Sequence, residues 1–530
     1  MRRLIIITAI LLIVTGVITV AYFKNVRLPG QQSGKVMSAI PADAALVFEY
    51  KNDKDFYELL GKDSLLTTLI GNQRSDELND LKTNVLQNPD LKAFFEGQSI
   101  FISVHPQKDS IAFLITTSGN QLVDGAFDKF SLQKGDEMNM ISTSFASRPG
   151  LIIDLKKSSK KLYLVSQGDN IYSASFSKQL VEASAQYREQ KHDNVFVQMT
   201  DQQDANSIAN LYVNYLALEP LFDGLFKNKN NDLFRTFRQL PAVASLNLNY
   251  KSDALMFNGT SHISGVDANS YLSLFRYQQP TINELKDIFP ATTAYSVNFA
   301  VSDPVKFENN LFQWQVQNGV NVEKQAVFNR IKRETAVDLT KEFMSALGNE
   351  FAIITTRYQE KLAIVRLNNG LKLRPFMVNI STMVTEDAGQ FNYDKLPLFL
   401  LGDAFSIFRR PYFIIVDNYL ILCASQTGLL EYYRNYTNGN LLSHNDEYRR
   451  FDNLQAEKSN VSFFIQFKNS EQLLRSELEP EYAEAFEKKS VGWNKYYAAA
   501  YQFTTADKNF YTNFYMRLNV PDTAKLNPLK

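Results

Sequence analysis

The sequence predicts an α+β protein of two tandem duplicated units, each a mainly antiparallel sheet with packed helices, after one N-terminal transmembrane helix. Three observations lead there. Residues Leu4–Phe23 form a twenty-residue run without a charge. Beyond it, a Pro-led strand opening, IPADAALVFEY at Ile40–Tyr50, returns as IFPATTAYSVNF at Ile288–Phe299. Further hairpin and strand-helix patterns then recur in the same order in both halves, as a duplicated unit requires.

Taken in order, the apolar run comes first. It is flanked by Arg2 and Arg3 before and by Lys24 and Arg27 after. As a helix rising about 1.5 Å per residue it spans about 30 Å, the thickness of a bilayer core. A cleaved signal peptide has a shorter apolar region, about 7–15 residues, and a small-residue cleavage site. Thr19-Val20-Ala21 is a poor version of such a site, so the run reads as an uncleaved signal anchor. Flanking charge is nearly balanced, and a large body after a single N-terminal span places that body on the periplasmic side. The polar, Gly- and Pro-containing stretch that follows reads as a linker. The expected domains are 1–23 anchor, 24–36 linker, 37–283 first unit and 284–530 second unit.

Within the units, Gln98–Thr117 matches Asn349–Asn369, each two apolar runs around a polar turn, hence a hairpin. Leu162–Tyr187 matches Tyr412–Tyr436, with turns at Asp169-Asn170 and Asp417-Asn418 and an amphipathic helix after the second strand. Val195–Tyr212 pairs with Val461–Leu478 as strand then helix. Its larger displacement implies an insertion near Thr437–Asn460. Ser245–Ile263 matches Ala499–Leu518, two long strands turning at Asp253 or Asp507. Hairpins require antiparallel pairing, with helices packed on one face of each sheet. The longest helical stretch, Pro304–Leu347, breaks near Asn318-Gly319, and Ser75–Phe95 is its counterpart. Pro41 and Pro290 sit at strand starts, where a residue lacking N–H is tolerated. Asp43, the carboxylate of the first copy, is replaced by Thr292 at the equivalent position of the second, so the motif reads as a turn device.

Composition narrows function by exclusion. With 56 basic and 56 acidic side chains, there is no basic excess for nucleic acid. The lone Cys423 excludes an intramolecular disulfide and lies in an apolar strand, as an inert buried thiol does. His105, His192, His262 and His444 are scattered, and no zinc-ligand spacing, phosphate loop, GxSxG elbow or kinase set occurs. Ser131 and Lys134 make only an isolated SxxK. Glu477, Glu479, Glu481 and Glu484 read as a solvated helix face, without a calcium loop. Aromatics are abundant, 39 Phe and 26 Tyr, clustering at Glu431–Tyr436, Asn494–Phe503 and Asn509–Arg517. Strand cores explain most of them, and a ligand groove is the alternative.

The anchor, linker and IPADAALVFEY opening resemble an uncharacterised family of bacterial membrane-anchored proteins, a domain of unknown function whose body opens on a Pro-Ala-Asp motif. The Asn-, Tyr- and Lys-rich style is similar to envelope proteins of the Bacteroidota. The resemblance implies an envelope setting and transfers no site residue. Together these readings lead us to expect a non-enzymatic, single-span inner-membrane scaffold or interaction module with a periplasmic body. The alternative is a carrier for a lipid, glycan or peptide in a groove between the units. Expected partners are the membrane, through Leu4–Phe23, an envelope protein, and a lipid or glycan, with no nucleic acid. No catalytic, cofactor-binding or metal residue is assigned.

Overall fold

The computed structural model describes residues 31–54, 56, 82–87, 92–107, 110–119, 138–155, 160–189, 195–197, 199, 207–228, 240–251, 253–263, 270–487 and 493–519. Strands of the first half are β1 (Leu46–Lys51), β2 (Ser99–Gln107), β3 (Ser110–Ser118), β4 (Met138–Phe145), β5 (Arg148–Leu155), β6 (Lys160–Gly168), β7 (Ile171–Ser175), β8 (Ala209–Asn214), β9 (Ala242–Lys251) and β10 (Ala254–Ile263). After the short β11 (Thr281–Ile282) come β12 (Thr293–Ala300), β13 (Leu347–Thr356), β14 (Lys361–Leu367), β15 (Ser381–Met383), β16 (Ala388–Phe391), β17 (Tyr412–Val416) and β18 (Tyr419–Cys423). The last strands among the described residues are β19 (Lys458–Ser459), β20 (Val461–Gln466), β21 (Tyr496–Ala506) and β22 (Asn509–Leu518).

Apart from the β11–β19 pair, all of these strands belong to one 20-stranded sheet. The expected pair of separate units is therefore corrected. The pairings run β4-β5-β6-β7-β3-β2-β1-β8-β9-β10, then cross to β22-β21-β20-β12-β13-β14-β18-β17-β16-β15, antiparallel throughout. The second list is the mirror of the first. The crossing is β10–β22, paired from Ala254↔Arg517 to Ser261↔Phe510. Each strand would otherwise expose a long row of unpaired N–H and C=O groups, and each supplies the other's partners. Asn258 faces Asn513 in this ladder, 255 residues along, so the local pseudo-twofold axis passes through that pair.

Helices cover both faces, a second correction. β12 is buried along all eight of its residues, which one covered face does not allow. One face packs into a large core that includes Phe299, Phe351, Phe307 and Trp314 from α4 (Pro304–Gln317) and Tyr215 from α3 (Tyr215–Leu225). On the other lie α1 (Gln31–Met37) and α2 (Lys178–Glu189) over the first half, with smaller cores around Phe101 and Val181. A core around Ile354 and Tyr432 backs the second half.

Local rules explain the helical punctuation. Asp303 caps α4, accepting from the N–H groups of Val305 and Lys306, and Gly319 at φ 71° follows its end. The Pro304–Leu347 stretch thus becomes α4, α5 (Asn321–Thr335) and α6 (Leu339–Ala346), with Ala336 at φ 60° making the second break. Of its proposed counterpart only 82–87 and 92–95 are described.

One alignment is corrected. β8, not a strand opening Val195–Tyr212, is the equivalent of β20: Leu211 pairs with Phe48 as Phe463 pairs with Val297. The separation from Leu211 to Phe463 is 252 residues, in line with the others, so no insertion is needed. Phe196 is fully buried in the core beside β1 but lies in a turn, which explains why an apolar segment there mimics a strand.

Among the described residues no helix is long and apolar enough to cross a membrane. Leu4–Phe23 lies outside them.

The strand beside the seam has a testable close approach to β9. A Cβ on Gly259, in β10, would lie 1.9 Å from the carbonyl oxygen of Ser245. Gly259→Ala must push β9 from β10, at a cost of about 1–3 kcal/mol. Urea unfolding of the two proteins measures it, and an unchanged midpoint would contradict the close approach.

Candidate functional site

Directly opposed residues of antiparallel strands face the same side of the sheet. Following the registers inward from β1 gives Glu49, Asn210, Asn247 and Asn258. Beyond the seam the same line continues through Asn513, Gln502, Ser462 and Asn298. A row of polar side chains, mostly amides, therefore crosses eight strands on one face. The row is itself pseudosymmetric, Asn258 matching Asn513 at its centre.

Hydrogen bonds run along it. Asn249 Nδ2 donates to Asn258 Oδ1 at 2.8 Å, and Asn258 Nδ2 donates to Asn513 Oδ1 at 2.5 Å. Gln502 accepts from the Ala456 N–H at 2.9 Å and donates to its carbonyl at 3.1 Å, so a loop of the second half covers that stretch. At the first-half end Glu49 is buried and accepts from Ser33 (3.1 Å), Asn210 (3.2 Å) and Tyr212 (2.7 Å). At the other end Asn298 Nδ2 donates to Glu350 Oε1 at 3.1 Å. The amide oxygens of Asn210, Asn247 and Asn298 are buried without a hydrogen-bond partner among the described residues. On the first-half side of the axis the face is partly open: Asn249 and the facing Tyr511 are exposed, and Asn258, Thr260 and His262 are half-buried, whereas Asn513 and Gln502 are buried. Burial lowers the His262 pKa, which favours a neutral ring. Amides donate and accept at once, so this surface suits a neutral ligand rich in hydroxyl groups.

A second constellation lies under the first half. His105 Nδ1 is 2.9 Å from Asp43 Oδ1, and His105 Nε2 is 2.8 Å from Ser103 Oγ. Ser103 and His105 alternate along β2 and so share a face, while Asp43 arrives from the turn after Pro41. The order of groups is that of a nucleophilic triad. Its surroundings differ: Ser103 and His105 are both 0% exposed, and the Ser103 hydroxyl also donates to the Leu114 carbonyl at 3.3 Å. The line acts as a buried tie from the turn to the sheet.

Matching registers place Ile354 and Thr356 where the first half has Ser103 and His105, and Ile364 and Ile421 where it has Thr116 and Ser173. One half lines this face with buried polar groups and the other with an isoleucine core.

Sequence reasoning identified Asp43 and His105 separately and missed their union. No local spacing links residues 62 positions apart. Cys423 is buried, and burial pushes its thiol pKa up. His444 donates through Nδ1 to the Gly439 carbonyl at 2.6 Å. His192, Ser131 and Lys134 lie outside the described residues. Among the described residues no group of three or more His, Cys, Asp or Glu is arranged to hold a metal ion. Of the aromatic clusters, Tyr432, Tyr496, Tyr497 and Phe503 are core residues, and burial pushes the Tyr497 phenol up to about 12. Tyr511 remains on the surface.

No family model and no curated protein sequence matches this chain. Among solved structures, crystal form I of TP0453 is similar over 44% of this chain and 79% of its own, at 10% identity and a TM-score of 0.24. That score is too low to carry an argument about fold or function.

Three outcomes follow from the buried groups. His105→Ala removes the tie and leaves a cavity, which costs about 2–4 kcal/mol in urea unfolding. An activated-serine probe should leave Ser103 of the native chain unlabelled; labelling there would overturn the structural role. Glu350 is buried and its carboxyl is pushed up chiefly by that burial, with Asn298, the Leu285 and Glu284 N–H groups and Arg366 opposing. The folded state then holds this proton more tightly than the unfolded chain. Its contribution to stability is greatest at low pH and falls as pH rises from the ordinary glutamate range through the raised value. Unfolding free energies of the wild type relative to Glu350→Gln should therefore decline with increasing pH over that window.

Proposed function

We propose that this chain is a non-enzymatic cell-envelope protein. It is held by a single N-terminal span, with a periplasmic body that serves as a scaffold. The observation that carries this reading is the continuity of the sheet through β10–β22, which gives one extended platform in place of a cleft between separate bodies. The sealed positions of Ser103 and His105 support a non-enzymatic role, because no substrate carbonyl reaches either. The anchor and the periplasmic placement rest on Leu4–Phe23 and its flanks.

The amide row favours a second reading, a binding protein for a glycan. Carboxamides and the exposed Tyr511 ring match hydroxyl groups and the apolar face of a sugar better than an acyl chain. The ligand then lies across the sheet seam.

Native mass spectrometry of the full chain, gently extracted from its own membranes, distinguishes the readings. A bound protein subunit supports the scaffold. An adduct of sugar mass supports the glycan reading, and Tyr511→Ala should then weaken its retention about tenfold, or roughly 1.4 kcal/mol. A bare monomer counts against both.

A further inference from the structure

The two ends of the sheet are unequal. At the second-half end the edge strand is β15, three residues long and followed by Glu386 and Asp387, a short and charged edge of the kind that resists strand addition. At the first-half end it is β4, eight residues with the sequence MNMISTSF, which contains neither a charge nor a proline. Its only strand partner among the described residues is β5.

The parity of β4 follows from its hairpin. Ala146 and Ser147 have φ values of 46° and 65°, the two left-handed residues of a type I′ turn, and Phe145↔Arg148 closes it. In such a hairpin the closing pair exchanges hydrogen bonds, and alternate residues after it do the same. Phe145, Thr143, Ile141 and Asn139 thus bond into β5. Ser144, Ser142 and Met140 turn their N–H and C=O groups outward. The Ile141 side chain is 53% exposed beside this edge.

We infer that β4 is a strand-pairing edge for a second copy of this chain, joined antiparallel across a twofold axis at Ser142. In that register Ser142 faces Ser142 of the other copy and Met140 faces Ser144, so every outward group meets an outward group. Ile141 then lies opposite Thr143, and its exposed surface is covered. The absence of charge on β4 is what self-pairing needs, since an isologous contact sets each residue near its own like. The protein already uses this joint once: Asn258 meets Asn513 on the pseudo-twofold axis of β10–β22. A dimer through β4 continues the same antiparallel sheet from one chain into the next.

The test uses the full chain in detergent, with mass read by analytical ultracentrifugation across a dilution series. The wild type should dimerise. Ser142→Pro removes only an outward N–H, so β4–β5 stays intact, circular dichroism is unchanged and the dimer is lost. Ile141→Lys, which leaves the backbone untouched, should also shift the equilibrium to monomer. Ser142→Cys adds one exposed thiol to a chain whose single cysteine is buried, and it should crosslink the dimer under oxidation. A wild type that stays monomeric throughout overturns the proposal. So does a dimer that survives both Ser142→Pro and Ile141→Lys, which would place the joint elsewhere. Recovery of the monomer with a foreign peptide on β4 would also overturn it, by showing a different occupant.

Discussion

The β10–β22 pairing is the constraint on which the rest of this protein depends. Without it β10 would end the first half on an open edge, with long side chains above and below and no partner for its outward backbone groups. With it, the halves are locked in a single register, and a one-residue slip would turn every side chain of β22 to the opposite face. The position on the axis is demanding, because the two residues there occupy equivalent places in the two halves. An acid or a base would face its like. Asn258 and Asn513 avoid this, since a carboxamide offers a donor to one copy and an acceptor to the other.

The two halves share a pairing scheme and differ in what they bury. On the outer face of the second half, Ile354, Ile364 and Ile421 make an apolar core that needs only shape. The same positions of the first half carry Ser103, Thr116 and Ser173, with Gln167 donating to Ser173 and Ser184. Buried polar groups must find partners, so this half depends on direction as well as volume. His105 belongs to that network. Its two ring nitrogens span the distance between a sheet hydroxyl and the exposed carboxylate of Asp43, and so fix the turn that starts β1.

Much of the strand content was legible in the sequence because it rests on local signals. Asp169-Asn170 and Asp417 occupy the left-handed turn positions that such residues tolerate, and the hairpins fall where they indicate. The joining of the halves was not legible. Alternation along Ala254–Ile263 reports that one face is buried, and says nothing of what lies beside the strand in the plane of the sheet. The helices on both faces were hidden for a related reason: β12 reads as TAYSVNFA, with Ser and Asn at positions that become buried, Asn298 while bonded to Glu350. The strand misplaced at the start of Val195–Tyr212 shows a third limit, since an apolar side chain such as Phe196 fills a core equally well from a turn. The polar row was invisible because its members are neighbours only through register, each contributed by a different strand.

The span of the seam also orders events during synthesis. β10 leaves the ribosome about 255 residues before the segment of β22 that pairs with it. At roughly 5–20 residues per second that interval lasts on the order of tens of seconds, far longer than a hairpin takes to form. The nascent first half therefore waits with one long edge unsatisfied, and must be shielded by its surroundings or by transient self-contact until the last hairpin arrives. Truncated products that stop before β21 would carry this open edge permanently, which makes the final twenty-odd residues of the sheet the point at which an adhesive intermediate becomes a closed molecule.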